Sequence, residues 1–430
     1  MHSRNSVRYY LLIATLLIFF FFSNDFGIID IQKTALVLAV GVDREDNQFI
    51  VTTQIAVPQS SAQGKDAQAV QMESRGETVA DALNQINIKT GWYPKLVFCN
   101  LVVLGEGTVR QNVFDALDFF LRDEYMSDRC LVAACEGTAK EILDTVTPID
   151  PISSVAAGKV LSDHARKVGT VAPATLREFA MGYFSSARSG WLPILKPETL
   201  EESSGQETGQ TDQDGQSGGS EDSEGGQGVL SAKPDALPAA AGGPEESGGK
   251  SGGQGGGQSA GEKVFSAAET MLFSDGKAVE TLTPEETFAF SIVVNKLRLA
   301  AYTTESDGVP YTLNIKRNRS RIKFRVDDNA AATLDIDVKA VAGIESAAFS
   351  QTVPELSDTN PVPRKVLDDA ETSLKEQILA VFEKSRDSAC DLFGVTEKLR
   401  KFESAYYPAY REDILDRLQL NVTVSFDDLR

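Results

Sequence analysis

The stretch Asp43-Arg-Glu-Asp-Asn-Gln is the part of this sequence closest in type to a metal-binding loop. Alternating carboxylates are typical of calcium loops, but those loops need glycine at the sixth position and an acid at the twelfth. Gln48 and Gln54 occupy these positions, and β-branched runs flank the stretch on both sides. Paired strands have this pattern, so we predict a hairpin turn at Asp46 and Asn47 in place of a metal site.

Cysteine and histidine are the other candidates for chemistry, and the cysteines are Cys99, Cys130, Cys135 and Cys390. Cys130 and Cys135 lie in one predicted strand with odd spacing, so they point to opposite faces and cannot share a metal. No C-x-x-C pair occurs, and His164 lies in a predicted helix without a partner set. We therefore predict four buried thiols, no metal site, no cofactor and no catalytic residue.

A row of alternating basic residues is the clearest charged pattern in the chain: Arg317, Arg319, Arg321, Lys323 and Arg325. In extended backbone all of them project to one side. Such a face suits anionic lipid headgroups or an acidic partner surface. The alternative is a turn at Asn318–Ser320, which would split the row between two strands and leave an ordinary solvated hairpin.

Acidic residues dominate elsewhere, and the formal net charge of the 430-residue chain is −20. Residues 201–262 contribute twelve acids and two lysines, a net charge of −10. This balance argues against nucleic-acid binding, because phosphate contacts need a positive surface. The same segment is rich in Gly, Ser and Gln, so it cannot bury enough apolar surface to order itself. We interpret it as a disordered acidic linker, with a partner-binding tail as the alternative.

An apolar run near the N-terminus follows two basic residues, Arg4 and Arg8. As a helix the run spans about 21 Å, shorter than a hydrocarbon core of ~30 Å, yet no A-x-A-like cleavage site follows. We predict an uncleaved signal anchor over residues 1–29 with its basic flank in the cytoplasm, and a buried core helix is the alternative. The predicted membrane residues are Tyr9, Tyr10, Leu11, Leu12, Ile13, Leu16, Leu17, Ile18, Phe19, Phe20, Phe21 and Phe22.

Two folded regions remain, and their periodicities predict a mixed α+β fold. In residues 30–200 a hairpin is followed by alternating helices and apolar strands, including a doubly buried strand over Lys95–Leu104 and helices over Val109–Leu121 and Ala174–Ser186. In residues 263–430 an Asp-Gly hairpin precedes a helix opened by a capping box of Thr283 and Glu286, with Pro284 at the first helical position. Strands over 311–316, 322–326 and 332–341 then precede a helix over 365–393. We expect that long helix to pack on an antiparallel sheet.

Several of these motifs together resemble the Ger(x)C family, the C subunits of bacterial spore germinant receptors. They occur in the family's order and cover both folded regions. The matching residues are the Gly-[IV]-Asp turn at Gly41–Asp43, Gln-Ile-x-x-Pro at Gln54–Pro58, the pair Arg122-Asp123, Ala-Lys-Glu-Ile-Leu at Ala139–Leu143, Leu282 with Glu286 and Thr287, and Asp-x-x-Gly at Asp391–Gly394.

The resemblance implies a non-enzymatic subunit that takes part in spore germination by assembling with A and B subunits. It places the folded domains on the extracytoplasmic side of the spore inner membrane. Family members usually carry a lipidated cysteine after the N-terminal segment, but no cysteine precedes Cys99 here, so we expect attachment without lipid. Arg122 and Asp123 are either a partner contact or a local pair. The alternative functions are a generic extracytoplasmic scaffold or adhesion protein and, third, a cell-wall hydrolase.

Overall fold

Two β-sheets organise the computed structural model, which describes residues 3–23, 34–56, 69–162, 169–199, 263–297, 299–327, 331–347 and 361–429. The first sheet has ten strands and the second has four. The strands of the first sheet are β1 Thr34–Glu45, β2 Gln48–Ala56, β3 Ala69–Gly76, β4 Tyr93–Lys95, β5 Leu101–Leu104, β6 Leu131–Cys135, β7 Ala174–Thr175, β8 Ser189–Thr199, β9 Lys263–Ser274 and β10 Lys277–Leu282. The second sheet contains β11 Ala300–Ser306, β12 Val309–Val326, β13 Ala332–Ala347 and β14 Gln419–Asp428.

The helices of the described residues precede, cover and connect these sheets. They are α1 Ser3–Ser23, α2 Val79–Thr90, α3 Glu106–Val109, α4 Phe114–Arg122, α5 Ala139–Asp144, α6 Ser153–Val160, α7 Leu176–Tyr183, α8 Pro284–Val293, α9 Arg364–Asp387, α10 Val395–Phe402, α11 Tyr407–Tyr410 and α12 Ile414–Arg417. The mixed α+β architecture predicted from the sequence is confirmed.

The centre of the first sheet is parallel: β1 pairs with β5, β5 with β6, and β6 with β8. Antiparallel strands complete both edges. Helices α2, α4 and α7 contribute to the core on one face, and α5 and α6 to the core on the other. Strands covered on both faces are apolar throughout, which explains the continuous apolar runs of β5 and β6.

The predicted hairpin is confirmed, with Asp46 and Asn47 in the left-handed region at φ 43° and 65°. Gly41–Asp43, which we predicted as a turn from the family pattern, instead lie inside β1. A Cβ at Gly41 would stand 3.0 Å from the Cβ of Ala139 in α5. Glycine is therefore required there by the close approach of the helix, not by a change of chain direction.

Three predicted boundaries in this region are wrong. The apolar run from Lys95 forms the end of β4, a 3₁₀ turn and then β5. Strand β4 pairs with β1 up to Lys95, the 3₁₀ turn interrupts this pairing, and β5 resumes it at Leu101. The helix predicted from Val109 begins at Phe114 as α4, and Val109 is instead the last residue of the short helix α3. The helix predicted from Ala174 begins at Leu176, where Thr175 and Glu178 form a capping box.

Strand β9 joins the two regions that the sequence analysis treated as separate domains. It pairs with β8 from Ser189 opposite Ser274 to Thr199 opposite Lys263. The predicted linker, residues 200–262, lies outside the described residues, but its two flanks are cross-strand neighbours. The first and second regions therefore share one sheet, and the segment is an insertion at a hairpin end.

The second sheet packs against α9 and α8 around a core that includes Leu313, Ile336, Leu374 and Phe426. We expected an antiparallel sheet, but β13 and β14 are parallel. The chain leaves β13, passes through α9 and three shorter helices, and returns in the same direction. The long helix ends at Asp387, earlier than predicted, and Ala389 follows at φ 50°. The box of Thr283, Pro284 and Glu286 opening α8 is confirmed.

Polar contacts also tie the C-terminal region to the first sheet. The Lys296 ammonium donates to Glu178 at 3.0 Å and to the Pro173 carbonyl at 2.8 Å. Burial opposes ionisation of Glu178, but the charge of Lys296 and the hydrogen bonds outweigh it and lower the pKa of this carboxyl. The Ser186 hydroxyl donates to Glu397 of α10 at 2.8 Å.

Candidate functional site

The basic row lies on one uninterrupted strand, β12. All five side chains, Arg317, Arg319, Arg321, Lys323 and Arg325, are exposed on the same face. The alternative prediction of a turn at Asn318–Ser320 is wrong, because β13 pairs with this segment without a break from Arg317 to Val326. The opposite face carries the half-buried Ile322, Phe324 and Val326, which pack against the core. Because successive side chains of a strand point to opposite faces, the basic residues lie on the exposed face and the apolar residues on the face toward the core.

A bulge sets this alternation. The register shifts between Ile315 and Arg317, so the odd-numbered residues before the bulge and those after it lie on opposite faces. Leu313 and Ile315 are buried in the core, whereas Arg317 and Arg319 are exposed. Without the bulge, the basic side chains would lie on the same face as Leu313 and Ile315 and point into the core.

Strand β13 supplies partial charge compensation. Arg325 forms an ion pair with Asp335, and Asp337 lies opposite Arg321. A hydrogen bond from Asn421, followed by that ion pair, lowers the pKa of Asp335. Lys339 lies opposite Arg319 and adds a further positive charge. The positive charges on this face of β12 and β13 therefore outnumber the negative ones.

Asn295 is a contributor to this surface that the sequence analysis missed. It follows α8 in the left-handed conformation, at φ 57°. Its Oδ1 accepts the Ser320 amide at 2.8 Å, and its Nδ2 donates to the Ser320 carbonyl at 3.0 Å. Asparagine at the end of a helix is a recognisable signal for this conformation, but its distant partner has no local signature.

The aspartate of the Gly41–Asp43 motif has a structural role. Asp43 is buried, and its carboxylate accepts the amides of Ala139 at 2.7 Å and Lys140 at 3.3 Å, at the start of α5. Burial raises its pKa, an effect that these two hydrogen bonds oppose. A Cβ at Gly105 would collide with this carboxylate.

Asp391, from the Asp-x-x-Gly motif, does the same at α10. It is buried and accepts the amides of Val395 at 2.8 Å and Thr396 at 2.7 Å. Gly394 supplies the left-handed turn before the helix, at φ 63°. Both motif carboxylates are therefore engaged by backbone amides, which is the standard use of an acid at a helix N-terminus.

The four cysteines are free and buried, as predicted. A hydrogen bond with Cys99 and burial raise the pKa of Cys130, and burial raises the pKa of Cys135. Burial raises the pKa of Cys390 to about 12. Thiols held neutral in this way are poor nucleophiles. Within the described ranges, no group of three or more His, Cys, Asp or Glu side chains could hold a metal ion, and His164 lies outside those ranges.

Arg122 and Asp123 make local contacts. The Arg122 guanidinium donates to Asp118 at 2.7 Å, one helical turn earlier. Asp123 accepts the amides of Tyr125 and Met126 at the end of α4. These contacts give both side chains a local role, and a partner contact stays a prediction.

The predicted membrane residues from Tyr9 to Phe22 lie within α1, whose side chains from Tyr9 to Phe19 are exposed. Residues 1–2 and 24–29 of the predicted anchor lie outside the described residues. Among the described residues, no helix meets the length and hydropathy required to cross a membrane. The anchor and the membrane residues stay predictions.

Comparison with known proteins matches both folded regions to spore germination proteins. Residues 27–197 match the family "Spore germination protein N-terminal domain", and residues 268–427 match "Spore germination B3/ GerAC like, C-terminal". The chain is 28% identical to spore germination protein B3 of Bacillus subtilis (strain 168) over 34% of its length. It is 27% identical to spore germination protein KC of the same organism over 35%. The aligned regions span 38% and 39% of these relatives.

The fold also has a solved counterpart. The crystal structure of the GerBC protein superposes with a TM-score of 0.50 at 15% sequence identity, covering 91% of this chain and 97% of that one. The two family matches occur in order and coincide with the regions that β8 and β9 join. The chain therefore belongs to the Ger(x)C family of spore germination proteins.

Proposed function

We propose that this protein is a membrane-anchored, non-enzymatic subunit of a nutrient germinant receptor. It assembles with A and B subunits in the spore inner membrane and has its folded region on the extracytoplasmic side. The observation that carries the proposal is the ordered match of both folded regions to spore germination families. The motif acids Asp43 and Asp391 accept backbone amides at helix starts, so the proposal gives them a structural role and no chemistry.

The basic face of β12 is the proposed contact surface. Its five exposed cations stand in a chain with a net charge of −20, so an anionic surface would be attracted to this face and repelled from most others. Attraction between exposed charges mainly raises association rate and selects partners. Tethering by α1 would increase the effective concentration of the face toward membrane partners.

Gene deletion with complementation tests this function. Spores lacking the gene should lose their response to the nutrient served by this receptor and keep germination triggered by other routes. Affinity purification of the tagged full chain from spore membranes should recover A- and B-type subunits. Normal germination of the deletion strain, or recovery of the chain with no receptor subunit, contradicts the proposal and favours a generic scaffold or adhesion protein.

A further inference from the structure

Among the strands that the structure describes, none lies along one side of the second half of β12. Strand β11 pairs with the first half, from Val309 opposite Ser306 to Ile315 opposite Ala300. Strand β13 occupies the other side along nearly the whole length. Beyond Ser320, no strand in the described part of the chain pairs with the outer side of β12, so this stretch is a sheet edge.

Asn295 reveals which backbone groups face that edge. It bonds both the N–H and the C=O of Ser320, so both groups point away from β13. In an antiparallel ladder the residues alternate between those that bond the neighbouring strand and those that point outward. By this alternation Ile322, Phe324 and Val326 share the orientation of Ser320, whereas the odd-numbered residues between them bond β13. The edge therefore presents three further sets of donors and acceptors in line with Asn295.

The side chains beside this edge define what could pair with it. The exposed face of the strand carries Arg319, Arg321, Lys323 and Arg325 along this edge. The face toward the core carries the half-buried Ile322 and Phe324. Side chains on directly opposed strand positions come within about 4.5–5.5 Å at Cβ. A strand added here would place alternate residues beside cations and the others beside an apolar core margin.

Basic residues on an edge strand also prevent unwanted pairing between sheets. That role explains why two copies of this chain would not pair through β12, since their basic rows would repel. The same row does not repel an acidic strand. Rejecting one class of partner and admitting another is how specific interfaces are usually built.

We propose that residues 320–326 of β12 bind, by strand addition, an extended segment of another polypeptide in which acidic and apolar residues alternate. Asn295 sets the register by occupying the first pairing position. The inference deepens the proposed function by naming a mode of assembly, and it rests on that function only for the origin of the segment.

Peptide binding to the full chain in detergent tests this. The probe is an eight-residue peptide alternating glutamate and valine, followed by fluorescence anisotropy. One control is a lysine–valine peptide. The other is the glutamate–valine peptide with N-methyl groups on the alternate residues whose backbone N–H groups would point toward β12. We expect the glutamate–valine peptide to bind at least tenfold more tightly than either control, because one control lacks the charge and the other the backbone donors.

A matched pair of variants tests the edge from the protein side. Ile322→Pro removes the outward N–H, and proline is tolerated where a strand's N–H faces solvent. Ile322→Ala also removes most of the isoleucine side chain, but it keeps that N–H. Ile322→Pro should weaken binding at least tenfold relative to Ile322→Ala, with the fold of both checked by circular dichroism.

Several results would overturn strand addition. Equal binding of the N-methylated and unmodified peptides would show that side-chain charge alone, without backbone hydrogen bonds, holds the peptide. Absence of glutamate–valine binding would remove the site altogether. Vesicles containing anionic phospholipid that displace the peptide and bind Ile322→Pro as well as Ile322→Ala would assign the face to lipid. None of these results bears on the deletion phenotype, so the germination role and the edge are judged separately.

Discussion

The Asp43 carboxylate in β1 accepts the backbone amide of Ala139 at 2.7 Å, across 96 positions of sequence. The bond fixes the first turn of α5 over the strand, at the place where Gly41 lets the helix approach. It also explains the Gly-x-Asp spacing of the family motif. Glycine at 41 makes room for the helix, and aspartate two residues later, on the same side of the strand, holds its end.

Replacing this carboxylate should destabilise the fold. Asp43→Ala leaves the buried amide of Ala139 and the part-buried amide of Lys140 without acceptors, and we expect a loss of about 1–3 kcal/mol in the free energy of unfolding. Asp43→Asn keeps one acceptor and should lose less. Urea denaturation of the three proteins measures both effects. Equal stability of Asp43→Ala and the parent would show that the cap contributes nothing.

The stability should fall in acid through Glu397. Hydrogen bonds from Arg400, and also from Ser186 and Lys401, lower the pKa of this carboxyl from 4.5 to about 2. A depressed pKa in the folded state gives stabilisation that is complete above pH 4.5 and is lost as the pH falls toward 2. Glu397→Gln should therefore reduce stability at pH 7, and the curves of variant and parent should converge near pH 2.

Glu412→Gln is the matched control, because Glu412 is 85% exposed and pairs with its neighbour Arg411. This control should leave the pH dependence unchanged. A parallel offset between Glu397→Gln and its parent at every pH would exclude Glu397 as the titrating group.

Removal of most of the segment between β8 and β9 should be tolerated. Thr199 and Lys263 are cross-strand neighbours, so deleting Ser204–Gly257 leaves a short loop between adjacent residues. Shortening a loop several-fold reduces its closure entropy by roughly 1.5–2 kcal/mol, which favours the folded state. Calorimetry should show one transition at an equal or slightly higher temperature. Two transitions, or a loss of several degrees, would contradict this prediction.

Reversal of the basic row should impair assembly while preserving the fold. The triple variant Arg319→Glu, Arg321→Glu, Lys323→Glu should reduce nutrient-triggered germination and receptor recovery several-fold, because attraction becomes repulsion. The binding should also weaken with salt, given a Debye length of about 8 Å at physiological ionic strength.

Three exposed cations on the first region provide the control for that reversal. Replacing Arg75, Arg110 and Arg177 by glutamate changes the net charge equally and breaks exposed ion pairs that contribute about 0–1 kcal/mol each. If both triple variants germinate like the parent, or both fail alike, the basic row has no specific role.

The N-terminus should stay on the mature chain without lipid. Residues 9–98 contain no cysteine that could carry a lipid, and the apolar block follows Arg4 and Arg8. Mass spectrometry of the chain extracted from membranes should give the unmodified N-terminal peptide. Detection of a diacylglyceryl adduct, or of a start near Asp25, would refute this prediction.

Local chemistry explains what the sequence predicted well. The turn at Asp46 and Asn47 and the box at Thr283 and Glu286 depend on residues a few positions apart, so their conformations could be read directly. The pairing of Thr199 with Lys263 could not, because nothing near either residue identifies a partner across such a long segment. The continuity of β12 was ambiguous for the same reason, since Asn318–Ser320 is typical of a turn until β13 is placed beside it.

The pairing of β8 with β9 fixes an order of events during synthesis. Ser189–Thr199 leaves the ribosome before its partner strand, and residues 200–262 must be made in between. At about 5–20 residues per second, this interval is roughly 3–13 s. During this interval β8 is an unpaired edge of the first sheet. Such an edge can pair with a strand of another chain, and chaperones protect surfaces of this kind. The length of the segment thus separates synthesis of the first half of the molecule from the arrival of β9, the strand that pairs with β8.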